Sequence, residues 1–397
     1  MPDGVVTIDT SGQISAIEAY TGQAVDEDLW PSVLLPGFVD AHVHFPQTRI
    51  VGAATGPLLD WLARSTFPEE ARFAQPSHAE RVASVFATSL AAAGTTLSFV
   101  YGSVHAAASD ALLSALAARG QRAVVGPVWM NSGGPPELMV DTAATIDGVE
   151  GLVERWHGHD AGRLQVAVIP RFALSCTADM MKAAGELARR HDLWVSTHLS
   201  ENREECRVAI ELFGTADYLA VYEDAGLLHD RSLYAHCIHL SASEWDRFAA
   251  AGAVVAHCPD SNFFLGSGGM PVNELLQRGI PVAMGSDIAA GRSFRISRAL
   301  SSAYDNALLT GASRTPAELL WWGTRGGALA LGQPQVGAIQ VGLEADLVCL
   351  DLPDWVEQLD EALGWILFDH DAPRPRKTWV RGRVVWDRSQ AGAGYLG

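Results

Sequence analysis

The amino-acid sequence predicts an α/β fold: a (β/α)8 barrel of the TIM type with a small β-sheet domain formed from both chain termini. Two patterns support this prediction. Eight apolar, β-rich runs alternate with segments of helical periodicity, which is typical of a closed parallel barrel. Further strand-like runs lie at the two ends of the chain. We therefore predict a barrel over residues 33–332 and a composite small domain over residues 1–32 and 333–397.

The eight runs are nearly continuous in apolar residues, which suits strands that are buried on both faces. They cover residues 33–44, 95–102, 122–129, 164–172, 193–200, 232–237, 253–259 and 280–287. The segments between them, such as residues 78–94 and 177–192, repeat apolar residues at helical spacing. This order of elements predicts that each barrel strand is followed by a helix.

The two chain ends predict the small sheet. Residues 5–20 alternate in polarity like a hairpin that turns at Ser11 and Gly12. Strand-like runs return in residues 337–352 and 377–386, after the last barrel helix. We expect these runs and the N-terminal hairpin to form one sheet domain.

Composition excludes several classes of function. The formal net charge of −18 does not suit a protein that neutralises phosphates, so nucleic-acid binding is not expected. The apolar runs are too short and interrupted to span a bilayer, and the first residues lack the pattern of a signal peptide. The five cysteines show no CxxC spacing, which is typical of reduced thiols. We expect a cytoplasmic protein with no membrane partner and a small-molecule substrate.

Metal-ligating side chains cluster at the ends of the predicted strands. His42 and His44 end the first run and, being two residues apart in a strand, point to the same side. Other such side chains end later runs or follow them closely: His198, Glu201, His236, His257 and Asp287. Strand ends converge at one face of a barrel, where the chemistry of such folds takes place. A lone buried histidine is more often structural, but this convergence predicts a divalent metal, with zinc as the best match.

The remaining histidines are weaker candidates. His105 follows the second run and is a candidate for the pocket edge, whereas His239 is interpreted as structural. We expect the others to be solvated, since they fall on predicted helices, loops or the tail: His78, His157, His159, His191, His229 and His370.

Several motifs resemble those of the guanine deaminases in the amidohydrolase superfamily. The broad superfamily signature is PGFVDAHVHFPQ, and a narrower set consists of PLLDWLARSTFPEEARF, PRFALSC and THLSENREE. AHCIHLS, AHCPDSNFFLGSG and GSDIAAG extend the resemblance to residue 292. The resemblance implies a homodimer that binds one zinc ion per chain and acts in purine catabolism by deaminating guanine to xanthine.

The resemblance also implies roles for individual residues. The metal ligands fall on His42, His44, His198 and Asp287. The proton-shuttling and water-orienting residues fall on Glu201 and His236, and the purine-binding residues on Gln47, Arg171 and Phe172. His257 matches a motif residue that is structural rather than ligating.

The chemistry of these side chains agrees with those roles. A bound metal lowers the pKa of water toward 7 and so supplies hydroxide to attack the ring. Glu201 can protonate the ring nitrogen and the departing ammonia, while Asp287 accepts the water proton and His236 orients the nucleophile. Arg171 can donate to a ring carbonyl, which guanine has where adenine has an amino group. An alternative role for Arg171 is an ion pair that only braces the barrel rim.

The side chains of Gln47 and Phe172 also suit contacts with a purine. Gln47 can donate and accept hydrogen bonds, and Phe172 can stack on a flat ring.

Two-metal members of the superfamily usually carry a carboxylated lysine on the fourth strand, and residues 164–172 contain no lysine. We therefore expect one metal. Asp260 stands where the motif more commonly has Asn, and this exchange is expected to be conservative.

Other functions remain open from sequence. An aminohydrolase acting on a pterin, a triazine or another heteroaromatic amine would carry the same motifs. The unrelated zinc deaminase fold is disfavoured because no PCxxC motif follows the HAE of residues 78–80. A non-enzymatic relative that serves as an assembly module would be expected to have lost ligands that this chain retains.

Overall fold

The fold was analysed in a computed structural model that describes residues 3–356, 358–369 and 375–390. Within this part of the chain, eight parallel strands form a nearly closed barrel, in the order of the sequence. The strands, numbered here from first to eighth, are Phe38–His44, Thr95–Tyr101, Arg122–Gly126, Leu164–Pro170, Trp194–Leu199, Ser232–His236, Val254–His257 and Val282–Met284. The predicted TIM barrel is confirmed.

The barrel closes at the end that carries the polar side chains. The backbone amide of Asp287 donates to the carbonyl of His42 at 2.8 Å, and the amide of His44 donates to the carbonyl of Ile288 at 3.3 Å. These bonds join the first strand to the segment that follows the eighth strand. Six of the eight strands, among them the first and second, are buried at every residue, as continuous apolar runs predict.

Long helices surround the barrel and cover its strands. Those with at least eight residues in the described chain are Pro76–Ala92, Ala106–Arg119, Thr142–Trp156, Ala178–His191, Arg203–Phe213, Ala242–Ala250, Ile296–Leu309 and Leu359–Phe368. Shorter helical segments are Phe45–Gln47, Leu58–Trp61, Leu62–Thr66, Phe67–Glu70, Ala71–Ala74, Pro136–Leu138, His159–Gly162, Ala173–Ser175, Tyr218–Asp224, Pro259–Phe264, Val272–Gln277, Pro316–Trp322, Arg325–Ala330 and Arg388–Gln390. None of the helices described here has the length and apolarity that a membrane span requires.

The run predicted over residues 33–44 is two strands rather than one. Val33–Pro36 pairs with Leu347–Leu350 in the small sheet, and the first barrel strand starts at Phe38. The break lies at Gly37, where a Cβ atom would approach the Thr96 side chain to 2.2 Å. The chain therefore passes from one sheet to the other at a residue that has no side chain.

Both chain ends contribute strands to the small domain, as predicted. An antiparallel sheet of four strands has the order Arg383–Asp387, Lys377–Val380, Leu347–Leu350 and Val33–Pro36. The N-terminal hairpin, Gly4–Ile8 with Ile14–Ala19, forms a separate two-stranded sheet. It is joined to the rest of the domain by backbone bonds such as that from the Ile14 amide to the Leu343 carbonyl, at 2.8 Å. The domain boundaries at residues 32 and 333 stay a prediction.

Candidate active site

Four side chains from distant parts of the sequence converge at the carboxyl end of the barrel. His42 and His44 come from the first strand, His198 from the fifth, and Asp287 from the segment after the eighth. One ligand atom of each lies within 4.8 Å of the other three. The Nε2 atom of His44 lies 3.1 Å from that of His42 and 3.2 Å from that of His198. Asp287 Oδ1 lies 3.2 Å from His42 Nε2 and 3.3 Å from His44 Nε2.

The protonation states of these groups fit a cation at their centre. Burial lowers the pKa of His42 and His198, and it lowers the pKa of His44 to about 4, so the imidazoles are neutral. The Nδ1–H group of His198 donates to the Arg171 carbonyl at 2.6 Å, which leaves a lone pair on Nε2. Three imidazole lone pairs and a carboxylate are a donor set for a divalent metal such as zinc.

His236 and Glu201 lie beside this cluster. His236 Nε2 is 3.4 Å from Glu201 Oε2 and 3.9 Å from Asp287 Oδ2, while its Nδ1–H group donates to Asn262 Oδ1 at 2.8 Å. Among the described residues, neither His236 Nε2 nor Glu201 Oε1 has a hydrogen-bond partner, so both atoms are available to a ligand. Burial, together with the negative charge of Asp287, raises the pKa of Glu201 well above its usual value. Glu201 is thus suited to hold a proton.

A pocket opens beside the cluster. Its lining combines the polar side chains just described with an apolar wall from the segment after the first strand. The lining residues are His44, Gln47, Leu58, Trp61, Leu62, Arg171, Phe172, His198, Glu201, His236, Leu265, Asp287 and Ala290. All three side chains predicted to bind a purine therefore share one pocket with predicted metal ligands.

A family model described as "Amidohydrolase family" matches residues 33–385, which include the whole barrel. The chain belongs to the amidohydrolase family.

This amidohydrolase is similar to proteins named as guanine deaminases. It is 39% identical to a probable guanine deaminase of Deinococcus radiodurans over 364 residues, 88% of this chain and 82% of that protein. The solved structure of a guanine deaminase from E. coli aligns with a TM-score of 0.92 at 33% identity, covering 97% of this chain and 93% of the other. A guanine deaminase from C. acetobutylicum, solved with bound guanine, gives a TM-score of 0.90 at 27% identity, covering 96% and 94%.

Sequence reasoning missed one buried carboxylate of the amidohydrolase site, Glu70. Its Oε1 atom accepts a hydrogen bond from Gln47 Nε2 at 3.0 Å, and its Oε2 atom accepts one from Arg171 Nη1 at 2.6 Å. The motif TFPEEARF contains two adjacent glutamates, and their spacing gives no signal of which one faces the pocket. The ion pair foreseen as the alternative role of Arg171 is thus present, at a residue that also lines the pocket.

The other histidines that the structure describes are not part of the four-residue cluster. His105 is not among the described pocket-lining residues, and His239 Nε2 bonds to the Ser267 carbonyl at 3.0 Å. His257 is buried, and neither ring nitrogen has a partner among the described residues. The prediction that His78 is solvated is wrong, because it is buried and its Nε2 lies 3.0 Å from Glu69 Oε1. His370 lies outside the described residues.

Proposed function

We propose that this protein deaminates guanine hydrolytically to xanthine and ammonia, using a zinc ion. The observation that carries the proposal is that a single pocket is lined both by candidate metal ligands and by the three residues predicted to bind a purine. His44, His198 and Asp287 line it with Glu201 and His236. Gln47, Arg171 and Phe172 line the same pocket and supply donors, an acceptor and a ring face for a flat heterocycle. The similarity to guanine deaminases over most of both chains supports guanine as the heterocycle.

In this proposal, His42, His44, His198 and Asp287 hold the metal. The ion supplies Lewis-acid activation, lowering the pKa of a water molecule so that it can attack at neutral pH. The fourth barrel strand, Leu164–Pro170, contains no lysine that could bridge a second ion, so one zinc per chain is proposed.

Protein side chains carry the proton transfers. Asp287 Oδ2, which faces His236 rather than the histidine ligands, accepts a proton from the attacking water. His236 Nε2, held in place through the Asn262 bond to Nδ1, orients that water. Glu201 delivers its proton to the ring nitrogen beside the attacked carbon. It then takes the hydroxyl proton of the tetrahedral adduct, passes it to the leaving ammonia, and is reprotonated by the proton that Asp287 accepted from water. Its raised pKa suits a group that must carry a proton in a buried site.

Guanine is held by its carbonyl edge and its face. Arg171 offers only donors, so it satisfies a ring carbonyl and leaves an amino group unpaired. Phe172 packs against the ring, and apolar side chains of Leu58 and Trp61 complete the wall. Sites that hydrogen-bond a substrate group strongly reject analogues that lack it. Adenine, which carries an amino group in place of the carbonyl, is therefore a poor substrate.

Other features inferred from the sequence belong to the same proposal. They are a homodimeric state, a cytoplasmic location and a role in purine catabolism. Sedimentation of the purified protein tests the first of these directly.

A substrate panel tests the proposed reaction. Purified protein is supplied with guanine, adenine, a pterin and an amino-triazine, and ammonia release is measured with and without a chelator. We expect ammonia from guanine, matched by the ultraviolet spectrum of xanthine, and its loss when the chelator removes the metal. A higher kcat/KM on the pterin or triazine would replace guanine as the substrate, and no release from any compound would contradict an aminohydrolase function.

A further inference from the structure

Glu70 is a buried carboxylate next to the pocket that the proposed reaction does not use. It ends the short helix Phe67–Glu70 and is 4% exposed. Among the described residues it does not line the pocket, but both residues that it contacts through hydrogen bonds, Gln47 and Arg171, do. Glu70 therefore lies behind the two side chains that face the heterocycle.

The contacts of Gln47 fix the direction of its amide group. Its Nε2 donates to Glu70 at 3.0 Å, and its Oε1 accepts from the Ala289 backbone amide at 3.0 Å. Rotating the amide by half a turn would place its NH2 group against the Ala289 amide and its oxygen against the Glu70 carboxylate. One N–H group and one oxygen lone pair of Gln47 remain for a ligand, and their order is set by Glu70 and Ala289.

The contacts of Arg171 restrict its guanidinium in a similar way. Nη1 donates to Glu70 at 2.6 Å, and the guanidinium carbon lies 5.4 Å from the centre of the Phe67 ring. Arg171 is 3% exposed, so the carboxylate also compensates a charge that water does not reach. The remaining N–H groups of the guanidinium can donate hydrogen bonds to the substrate.

We propose that Glu70 is a positioning residue that fixes Gln47 and Arg171 in the one arrangement that recognises the carbonyl edge of the purine, and so determines selectivity for 6-oxopurines. This inference rests on the proposed function. Glu70 acts through its two partners and does not itself touch the substrate.

A carboxylate is required at this position because both partners are donors. Glu70 has two acceptor oxygens and uses one for each partner. Glutamine has nearly the same shape, but it would offer one oxygen and one NH2 group, so one partner would face a donor. Glu70→Gln therefore releases either Gln47 or Arg171 while hardly changing the packing volume.

Glu69 provides a matched control on the same helical turn. It is also buried, 7% exposed, and it pairs with Arg72 at 2.8 Å and His78 at 3.0 Å. Neither of these partners is among the described pocket-lining residues. Glu69→Gln thus removes a buried carboxylate from the same segment without touching the contacts of Gln47 or Arg171.

The test compares guanine with 2-aminopurine, which has the same reactive amino group but lacks the carbonyl. We measure kcat/KM for both compounds with the zinc-loaded wild type and each variant. Glu70→Gln should lower the ratio of guanine to 2-aminopurine efficiency by about 10- to 100-fold, mainly through KM for guanine. Glu69→Gln should leave this ratio within about twofold of wild type, and zinc content should be the same in all three proteins.

A second measurement uses no turnover. Dissociation constants of hypoxanthine and purine, neither of which has the reactive amino group, should show the same selective loss for Glu70→Gln. If this variant is too unstable to purify, Glu70→Asp, which keeps both acceptors on a shorter side chain, is measured in the same way.

Equal losses on guanine and 2-aminopurine, or the same change of ratio in Glu69→Gln, would overturn the positioning role and leave a structural one. Wild-type protein without guanine turnover would overturn the proposed function instead. In that case the hypoxanthine and purine dissociation constants still decide whether Glu70 governs recognition of the carbonyl.

Discussion

Arg171 contributes to the site through two different groups. Its side chain lines the pocket and pairs with Glu70, while its backbone carbonyl accepts the Nδ1–H of His198 at 2.6 Å. The carbonyl fixes the tautomer in which His198 Nε2 has a lone pair. A residue proposed to bind the purine therefore also orients a candidate metal ligand through its backbone carbonyl.

At the residue scale, Glu201 gives the sharpest prediction. Glu201→Gln keeps the size of the side chain but cannot carry and release a proton, and Glu201 is not among the four residues whose ligand atoms surround the metal position. We expect zinc content to stay at the wild-type level and kcat for guanine to fall by about 10²- to 10⁴-fold, the usual contribution of general acid-base groups. Elemental analysis and the xanthine assay measure these quantities. A variant that retains more than about a tenth of wild-type turnover would show that another group moves the proton.

Local spacing explains which site residues could be predicted. His42 and His44 are two apart on a strand, and His198 and Asp287 end other strands, so barrel geometry alone brings them together. Glu70 escaped prediction because its partners lie 23 and 101 residues away and its own segment is a series of short helical turns. Such contacts depend on how one segment packs on another, which periodicity does not encode.

At the element scale, Asp260 anchors the segment that follows the eighth strand. The presence of Asp instead of the more common Asn at this position was expected to be a conservative exchange. Its carboxylate nevertheless accepts hydrogen bonds from the Arg292 backbone amide at 2.9 Å and from Arg292 Nη2 at 2.6 Å. It also accepts from Arg298 Nε and Ser302 Oγ, each at 3.1 Å. The helix Pro259–Phe264 is thereby tied to the chain just beyond Asp287 and to the helix Ile296–Leu309.

Asp260→Asn should destabilise the protein, because the amide replaces one acceptor oxygen by a donor that faces arginine. Hydrogen bonds to charged groups contribute about 1.5–3 kcal/mol each, so we expect a loss of about 2 kcal/mol in the free energy of unfolding. Chemical denaturation measures this loss.

Burial alone raises the pKa of Asp260, but the bonds from Arg292 hold it below the usual value. The advantage of wild type is therefore present above the pKa of the unfolded carboxyl and shrinks as pH falls through the lower, folded one.

Asp246→Asn is the control for Asp260→Asn. Asp246 also pairs with an arginine, Arg278, at 2.8 Å, but its side chain is 70% exposed. Exposed pairs contribute little, so this change should stay within about 0.5 kcal/mol. Equal effects of the two substitutions would mean that Asp260 is an ordinary surface partner.

The break at Gly37 shows a second limit of sequence reasoning at this scale. An apolar run predicts strand but does not say which sheet the strand joins. Residues 33–44 continue in apolar character through the change of sheet, and only the lack of a side chain at Gly37, beside Thr96, marks it. Strand order and barrel class could be predicted because they follow from the alternation of elements along the whole chain.

At the scale of the whole molecule, the candidate metal site lies where the barrel closes. The bond from the Asp287 amide to the His42 carbonyl joins the segment after the last strand to the first strand, at two of the proposed ligands. The small domain supports the opposite end of the same first strand, since the Gly37 amide donates to the Asp346 carbonyl at 2.9 Å. Asp346 in turn accepts from Arg122 Nε, at the start of the third strand, at 3.1 Å. Ligand geometry thus depends on closure of the entire barrel.

Zinc titration of the metal-free protein, followed by conversion of guanine to xanthine, tests whether one zinc ion per chain supports guanine deamination. Four converging donors and the absence of a bridging lysine on the fourth strand predict a single ion per chain. Turnover should be absent without metal, rise in proportion to added zinc and reach its maximum at one equivalent per chain. Saturation at two equivalents, or full turnover of guanine by protein that elemental analysis shows to be metal-free, would contradict this prediction.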